Sequence, residues 1–263
     1  MEERVAECIN ILGEFCGKRD VPSLTADELR KSFNIEQADI MVLFGGSILC
    51  GGDVLADAMK NKIAKKYVIV GGAGHTTETL RIKMHAEFPD IETEGLSEAE
   101  MFESYLEYRY GLQADFLECH STNCGNNITY LLDLLEREKV PFTSIILSQD
   151  ATMQRRMEAG LRKYAADKRI INFSTYKANV VAEKGELAYK EKIWGMWDMD
   201  RYITLLMGEI PRLSDTPEGY GPKGKDYIAH VDIPQEVERA FLELKESYGE
   251  MIREANSLYA SVK

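Results

Sequence analysis

Five polar side chains crowd the stretch Ser121-Thr122-Asn123-Cys124-Gly125-Asn126-Asn127. A helix start needs one such residue as its N-cap, and Ser121 or Thr122 would serve, with Asn123 satisfying nearby backbone groups. The surplus points to hydrogen bonds with a ligand, for which Asn123 and Asn127 are the first candidates and Thr122 and Asn126 their neighbours. Glu118, just upstream, would accept from ligand hydroxyl or amino groups, or orient the loop. A second cluster is Gln149-Asp150-Ala151-Thr152-Met153-Gln154-Arg155-Arg156. Asp150 precedes a helix, so it is a cap or a partner for a charged ligand end. Adjacent arginines point in different directions. Arg155 is assigned to the site, where its fork suits a phosphate or carboxylate, and Arg156 to the surface.

Glycines make up the rest of the set. Gly45-Gly46 and Gly71-Gly72-Ala73-Gly74-His75 each follow an apolar run, and glycines let backbone N–H groups approach a ligand closely. Gly72-x-Gly74 is half of a dinucleotide fingerprint. Thr77 stands where the third glycine belongs and no acid follows at the required distance, so a tight strand-to-helix turn is the competing reading. His75 and Asp150 are the candidate proton carriers, with Glu118 and His120 also titratable nearby. Cys119-His120 and Cys124 fall short of a closed zinc set, and no metal is expected. The chain carries no G-x-x-x-x-G-K-[ST] loop, G-x-S-x-G elbow or H-E-x-x-H pair.

The elements that must position these residues are legible from periodicity. Short continuous apolar runs at 38–44, 67–70, 116–118, 144–147 and 169–173 read as strands buried on both faces. Helical spacing marks 3–17, 25–33 (Thr25 as cap), about 53–64, 77–87, 97–110 and the stretches after Asn127 and Arg156. Such alternation predicts an α/β fold, a parallel sheet with helices on both faces. Ligands of open parallel sheets bind outside the carboxyl ends of the strands, where all the residues above fall. The chain divides into a helical segment 1–37, the α/β domain 38–190, and a helical and loop segment 191–263 packed on it. In that last segment 191–208 is helical, Trp194 and Trp197 are core, and Gly208 to Pro234 is a Gly/Pro/Asp-rich connection to a terminal helix.

Bulk properties exclude some classes. With 263 residues, 44% apolar and 29% charged, the chain can bury a large core. A formal net charge of −12 argues against general nucleic-acid binding, which depends on clustered Lys and Arg. No run approaches the roughly 20 apolar residues needed to span a bilayer, so membrane insertion is not expected. The five cysteines (Cys8, Cys16, Cys50, Cys119, Cys124) are scattered, without a CxxC pair. That pattern and the lack of a leader-like n-region and h-region predict a reducing, cytoplasmic setting. Cys8 and Cys16 have the spacing of core helix positions.

The loops at 121–127 and 149–156 resemble those of the YdcF-like proteins, a domain-of-unknown-function family that includes SanA and ElyC. So does the tail, with Arg201-Tyr202, Gly208-Glu209-Ile210-Pro211-Arg212-Leu213, Gly219-Tyr220-Gly221-Pro222-Lys223-Gly224-Lys225-Asp226 and His230-Val231-Asp232. The resemblance covers most of the chain and implies a bacterial, Rossmann-like protein that binds S-adenosylmethionine. It departs at Asn126, where the family motif usually has Glu. The leading expectation is a nucleotide-type ligand, possibly S-adenosylmethionine, over a floor of Gly45, Gly46, Gly71, Gly72 and Gly74. Ser121, Asn123 and Asn127 would then bond the ligand, with Gln149, Asp150 and Arg155 beyond. The alternative is a hydrolase or transferase acting on a phosphorylated metabolite or cell-envelope precursor, with the same donors on phosphate.

Overall fold

The computed structural model describes residues 2–74 and 76–249. Five strands, β1 (Ala38–Phe44), β2 (Ala64–Val70), β3 (Phe116–Glu118), β4 (Ser144–Ser148) and β5 (Arg169–Asn172), form one parallel sheet in the order β3-β2-β1-β4-β5. Flanking it are α1 (Glu2–Cys16), α2 (Ala26–Phe33), α3 (Cys50–Lys60), α4 (Thr77–Glu87), α5 (Glu98–Tyr110), α6 (Cys124–Arg137) and α7 (Gln154–Tyr164). The fold is α/β and Rossmann-like. Its chain runs outward from β1 to β3, then returns to the other side of β1 as β4. The crevice between β1 and β4 is therefore the topological switch point.

Why the central strands are continuously apolar follows from the two-sided packing. Alternate residues point to opposite faces. Ile40, Val42, Phe44, Val68, Val70, Ile145 and Leu147 pack on one face with Ile128 and Leu131 of α6 and Met157 and Leu161 of α7. Met41, Leu43, Ile69 and Ile146 pack on the other with Leu55 of α3, Leu80 of α4 and Phe102 of α5. A polar residue inside β1 would be buried whichever way it pointed. Helix starts are capped as their sequences require: Thr25 accepts from the Glu28 N–H, and Ser97 with Glu100 forms a reciprocal capping box on α5.

Three boundaries differ from the periodicity. Helix α3 spans Cys50–Lys60, and β2 begins at Ala64, because Ala64-Lys65-Lys66 extends along β1. Strands β6 (Val180–Glu183) and β7 (Glu186–Tyr189) form an antiparallel hairpin. Its turn residues Lys184 and Gly185 both have positive φ, 53° and 84°, the twist that a tight hairpin favours. Residues 190–198 contain no helix or strand, and α8 (Met199–Leu213) begins at the Asp198 cap and continues through Gly208 and Pro211. Pro211 sits in the last turn, so only one ladder hydrogen bond is lost there. With α9 (Gln235–Tyr248), these C-terminal elements share an apolar cluster with α1: Ile9 and Leu12 meet Tyr202, Leu206, Val237 and Leu244. Helix α1 and the elements α8 and α9 thus contribute to one common core. Among the described residues, no helix is long and apolar enough to cross a membrane.

Candidate functional site

The carboxyl ends of β1 and β2 are brought together around a residue that the sequence did not mark. Backbone N–H groups at the start of α5 bond the loop after β2, Glu98 N to Gly72 O (3.0 Å) and Ala99 N to Gly71 O (2.8 Å). This delivers the Glu98 side chain between Gly45 and Gly71. A Cβ on Gly45 would lie 2.8 Å from the Cβ of Glu98, and one on Gly71 3.2 Å from the Gly45 Cα, so glycine is required at both. Glu98 is 7% exposed. Its Oε1 accepts from the hydroxyls of Thr76 (3.0 Å) and Thr77 (2.9 Å), while Oε2 accepts from no described residue. Burial pushes its pKa above the ordinary carboxylate range, and the two threonine hydroxyls oppose that shift.

The polar loop after β3 spends its groups on itself. Glu118 Oε1 accepts from the N–H of His120 (2.6 Å) and of Ser121 (3.1 Å), so this carboxylate orients the loop. The Ser121 hydroxyl accepts from Gly72 N (3.2 Å). Asn123, not Ser121 or Thr122, is the N-cap of α6: its Oδ1 accepts from Asn126 N (3.0 Å) and its Nδ2 donates to Asn126 Oδ1 (2.7 Å). Thr122 is exposed and donates weakly to the same Asn126 oxygen (3.3 Å). Asn127 is half-buried, and among the described residues no side-chain hydrogen bond holds it. Gly72 is fixed by close approach, since a Cβ there would overlap the Ser121 carbonyl oxygen.

At the end of β4 the placement of the charged residues departs from expectation. Asp150 is buried, and its Oδ1 accepts from Thr152 N (2.8 Å), Thr152 Oγ1 (2.8 Å) and Tyr176 OH (2.7 Å). Its Oδ2 accepts from Trp197 Nε1 (2.8 Å). The carboxylate is saturated and works as the anchor that ties the loop after β5 and the segment before α8 to the strand ends. Arg155 turns away from the cleft, donating to the carbonyl of Phe15 and stacking 4.2 Å from its ring. Arg156 is not on the surface. It makes a bidentate pair with Glu209 of α8 (2.6 and 2.9 Å), with both side chains largely buried. Gln149, 1% exposed, accepts from Asp150 N through Oε1 (2.6 Å), and its Nε2 has no partner among the described residues.

The proton-carrier assignment of His75 falls outside the described residues. His120 lies in the loop after β3 and is exposed. Among the described residues no cluster of three or more His, Cys, Asp and Glu side chains is arranged to hold a metal. Like Glu98, Lys83 is unmarked by any local pattern; its Nζ donates to Gly195 O (2.8 Å) and lies 4.6 Å from the Trp197 ring. Burial lowers its pKa, and the Asp150 charge works against that lowering. The segment around Gly195 and Trp197 therefore walls the strand ends, held by Lys83 on one side and Asp150 on the other. Helix-start chemistry at Ser97-Glu98-Ala99-Glu100 was visible, but which of its acids is buried depends on contacts with distant glycines.

No protein-family model matches the chain. The fold and this geometry define an α/β protein with a Rossmann-like sheet and a polar cleft at its switch point.

Proposed function

We propose that the chain binds a nucleotide-type small molecule at the carboxyl ends of β1, β2 and β4, with S-adenosylmethionine the named candidate. The observation that carries this is Glu98: a buried carboxylate beside Gly45 and Gly71 whose Oε1 is held by Thr76 and Thr77 and whose Oε2 accepts from no described residue. A carboxylate at a strand end of such a sheet accepts from ribose hydroxyls, and it favours a positively charged group over an anion. S-adenosylmethionine supplies hydroxyls and a sulfonium cation, so the donor set fits it. The resemblance of the polar loops and tail to the YdcF-like family supports the same ligand.

A phosphorylated substrate fits less well. Arg155 is turned onto Phe15, Lys83 is committed to Gly195, and the Asp150 carboxylate is occupied by four donors. A hydrolase or transferase on phosphate would lack both its anion clamp and this proton carrier.

Isothermal titration with S-adenosylmethionine, S-adenosylhomocysteine and ATP tests the reading. Saturable binding of the first, weaker binding of the second, which lacks the sulfonium charge, and little of the third are expected. Glu98→Ala should weaken S-adenosylmethionine by about ten- to a hundred-fold, the worth of a hydrogen bond to a buried charged group. Tighter binding of ATP, or unchanged affinity in a folded Glu98→Ala protein, would sink it.

A further inference from the structure

Residues 190–198 lie across the strand ends with little backbone bonding of their own. They join β7 to α8 without helix or strand, and among the described residues the one backbone–backbone hydrogen bond within 191–197 is Met196 N to Ile193 O (3.3 Å). Both flanks are rooted elsewhere: Leu187 and Tyr189 before the segment, and Tyr202 and Ile203 after it, pack into the cluster shared with α1. Its middle is held to the sheet domain by side chains. Trp197 Nε1 donates to Asp150 Oδ2 (2.8 Å), and Lys83 Nζ donates to Gly195 O (2.8 Å) and to Ser47 O (3.4 Å). Trp194 packs on the rings of Phe88 and Tyr105. Gly195, at φ 71°, presses on the loop after β1: a Cβ there would lie 3.2 Å from the Leu49 Cβ.

What lies under the segment is closed. The crevice between β1 and β4, whose walls include Phe44, Ile48, Phe102, Gln149, Asp150 and Thr175, holds about 10 Å³, room for one water. Pockets that enclose a nucleotide-sized ligand run to roughly 300–1,000 Å³, so part of the wall must move to admit one. Strands β1 and β4 and helices α3 and α5 are braced by continuous hydrogen-bond ladders. Residues 190–198 are not, and segments with few backbone hydrogen bonds open at the least cost. One of their side-chain bonds, moreover, ends on Asp150 in the crevice wall.

We propose that residues 190–198 are a strap that closes the strand ends and that a ligand displaces, with Trp197 occupying Asp150 Oδ2 until a ligand N–H or hydroxyl takes its place. The ligand in this statement rests on the proposed function; the strap's opening does not. Once Trp197 leaves, the end of β4 offers a carboxylate oxygen, which accepts from a donor and repels an anion.

The full chain reports on the strap directly, because its only two tryptophans, Trp194 and Trp197, both lie in it. Without ligand, the Trp197 indole N–H, identified by its loss in Trp197→Phe, should exchange with solvent at least about a hundredfold faster than the amides of β1 and β4. Exchange as slow as theirs would overturn the strap, whatever the ligand. S-adenosylmethionine should shift the tryptophan emission to the red and increase its quenching by acrylamide. Trp197→Phe deletes the internal donor and should bind S-adenosylmethionine about fivefold more tightly, since less of the closed form competes. The combination Leu49→Cys with Gly195→Cys, made with Cys50→Ser, places two thiols near the roughly 3.8 Å Cβ separation of a disulfide. Once oxidised, with the crosslink verified by mass, it should lose S-adenosylmethionine binding and regain it on reduction. Saturable binding that leaves the tryptophan emission unchanged, that Trp197→Phe does not tighten, or that survives the crosslink would overturn the strap and leave the proposed function standing. Fast indole exchange in a parent that does not bind S-adenosylmethionine would do the reverse.

Discussion

The loop after β3 and the loops after β4 and β5 make opposite use of polar residues. The first has Ser121, Thr122, Asn123, Asn126 and Asn127 in seven positions, yet Glu118, Ser121 and Asn123 are engaged in capping α6, fixing the loop backbone and pinning the β2 turn. The second group is as polar, with Gln149, Asp150, Thr152, Gln154 and Arg155 in seven positions, and there, among the described residues, two fully buried polar atoms, Gln149 Nε2 and Thr175 Oγ1, end without partners. Density of hydrogen-bonding groups therefore does not tell which loop leaves its hydrogen bonds incomplete. A loop rich in Asn and Ser can be self-sufficient, because these side chains bond nearby backbone as readily as anything else.

That contrast can be broken first at Asp150. Asp150→Ala strands the buried donors of Tyr176, Trp197 and Thr152, and it should lower unfolding stability by about 3 kcal/mol in urea titration. A loss under about 1 kcal/mol would mean that the segment before α8 is not anchored there. Gly72→Ala comes next. Its methyl group would press on the carbonyls of Ser121 and Cys119, both backbone atoms, and should cost about 1–3 kcal/mol. Were it tolerated without loss, the loops after β2 and β3 would not be locked together. Asn123→Ala removes an N-cap and should cost about 1 kcal/mol, with Asn123→Asp restoring most of it. If Asn123→Ala instead leaves stability untouched and impairs S-adenosylmethionine binding, the loop after β3 is the ligand-binding one and the contrast collapses.

How far the sequence carried follows from which forces are local. The strands β1 and β4 were plain because a strand buried on both faces has no polar alternation to disguise it, and the Thr25 cap was plain because capping is decided within four residues. The hairpin at 180–189 was hidden by weak alternation, though Glu183-Lys184-Gly185-Glu186 carried its turn chemistry. Site residues divided the same way. The strand-end glycines were found by position, and Gly45 and Gly72 do mark close approaches, but to Glu98 and to the β3 loop. Arg155 and Arg156 were misassigned because their partners, Phe15 and Glu209, lie 140 and 53 residues away. Glu98 and Thr175 were missed for the same reason: nothing within a few residues of either says that it is buried.

The smallest expected effect is on pH dependence, and it bears on Glu98 alone. Burial raises this carboxyl's pKa in the folded chain above its unfolded value. Between those two values the folded state holds a proton that the unfolded state has released. Its contribution to stability is complete below the unfolded pKa and is lost as pH rises through the folded one. Glu98→Gln retains an oxygen for the hydroxyls of Thr76 and Thr77 and cannot ionise. The parent should therefore lose stability relative to Glu98→Gln as pH rises above about 4.3, the ordinary glutamate value, and the difference should level off once the folded carboxyl has ionised. Urea unfolding of both proteins at closely spaced pH values reads this directly. S-adenosylmethionine should sharpen it: a ligand that contributes hydroxyls or a positive charge to Glu98 Oε2 favours the ionised form, so saturating the parent should flatten the profile toward that of the variant. A parent profile that already parallels Glu98→Gln would mean that Glu98 is solvated in the cleft, and it would remove the buried carboxylate on which the β1–β2 half of the proposed site depends.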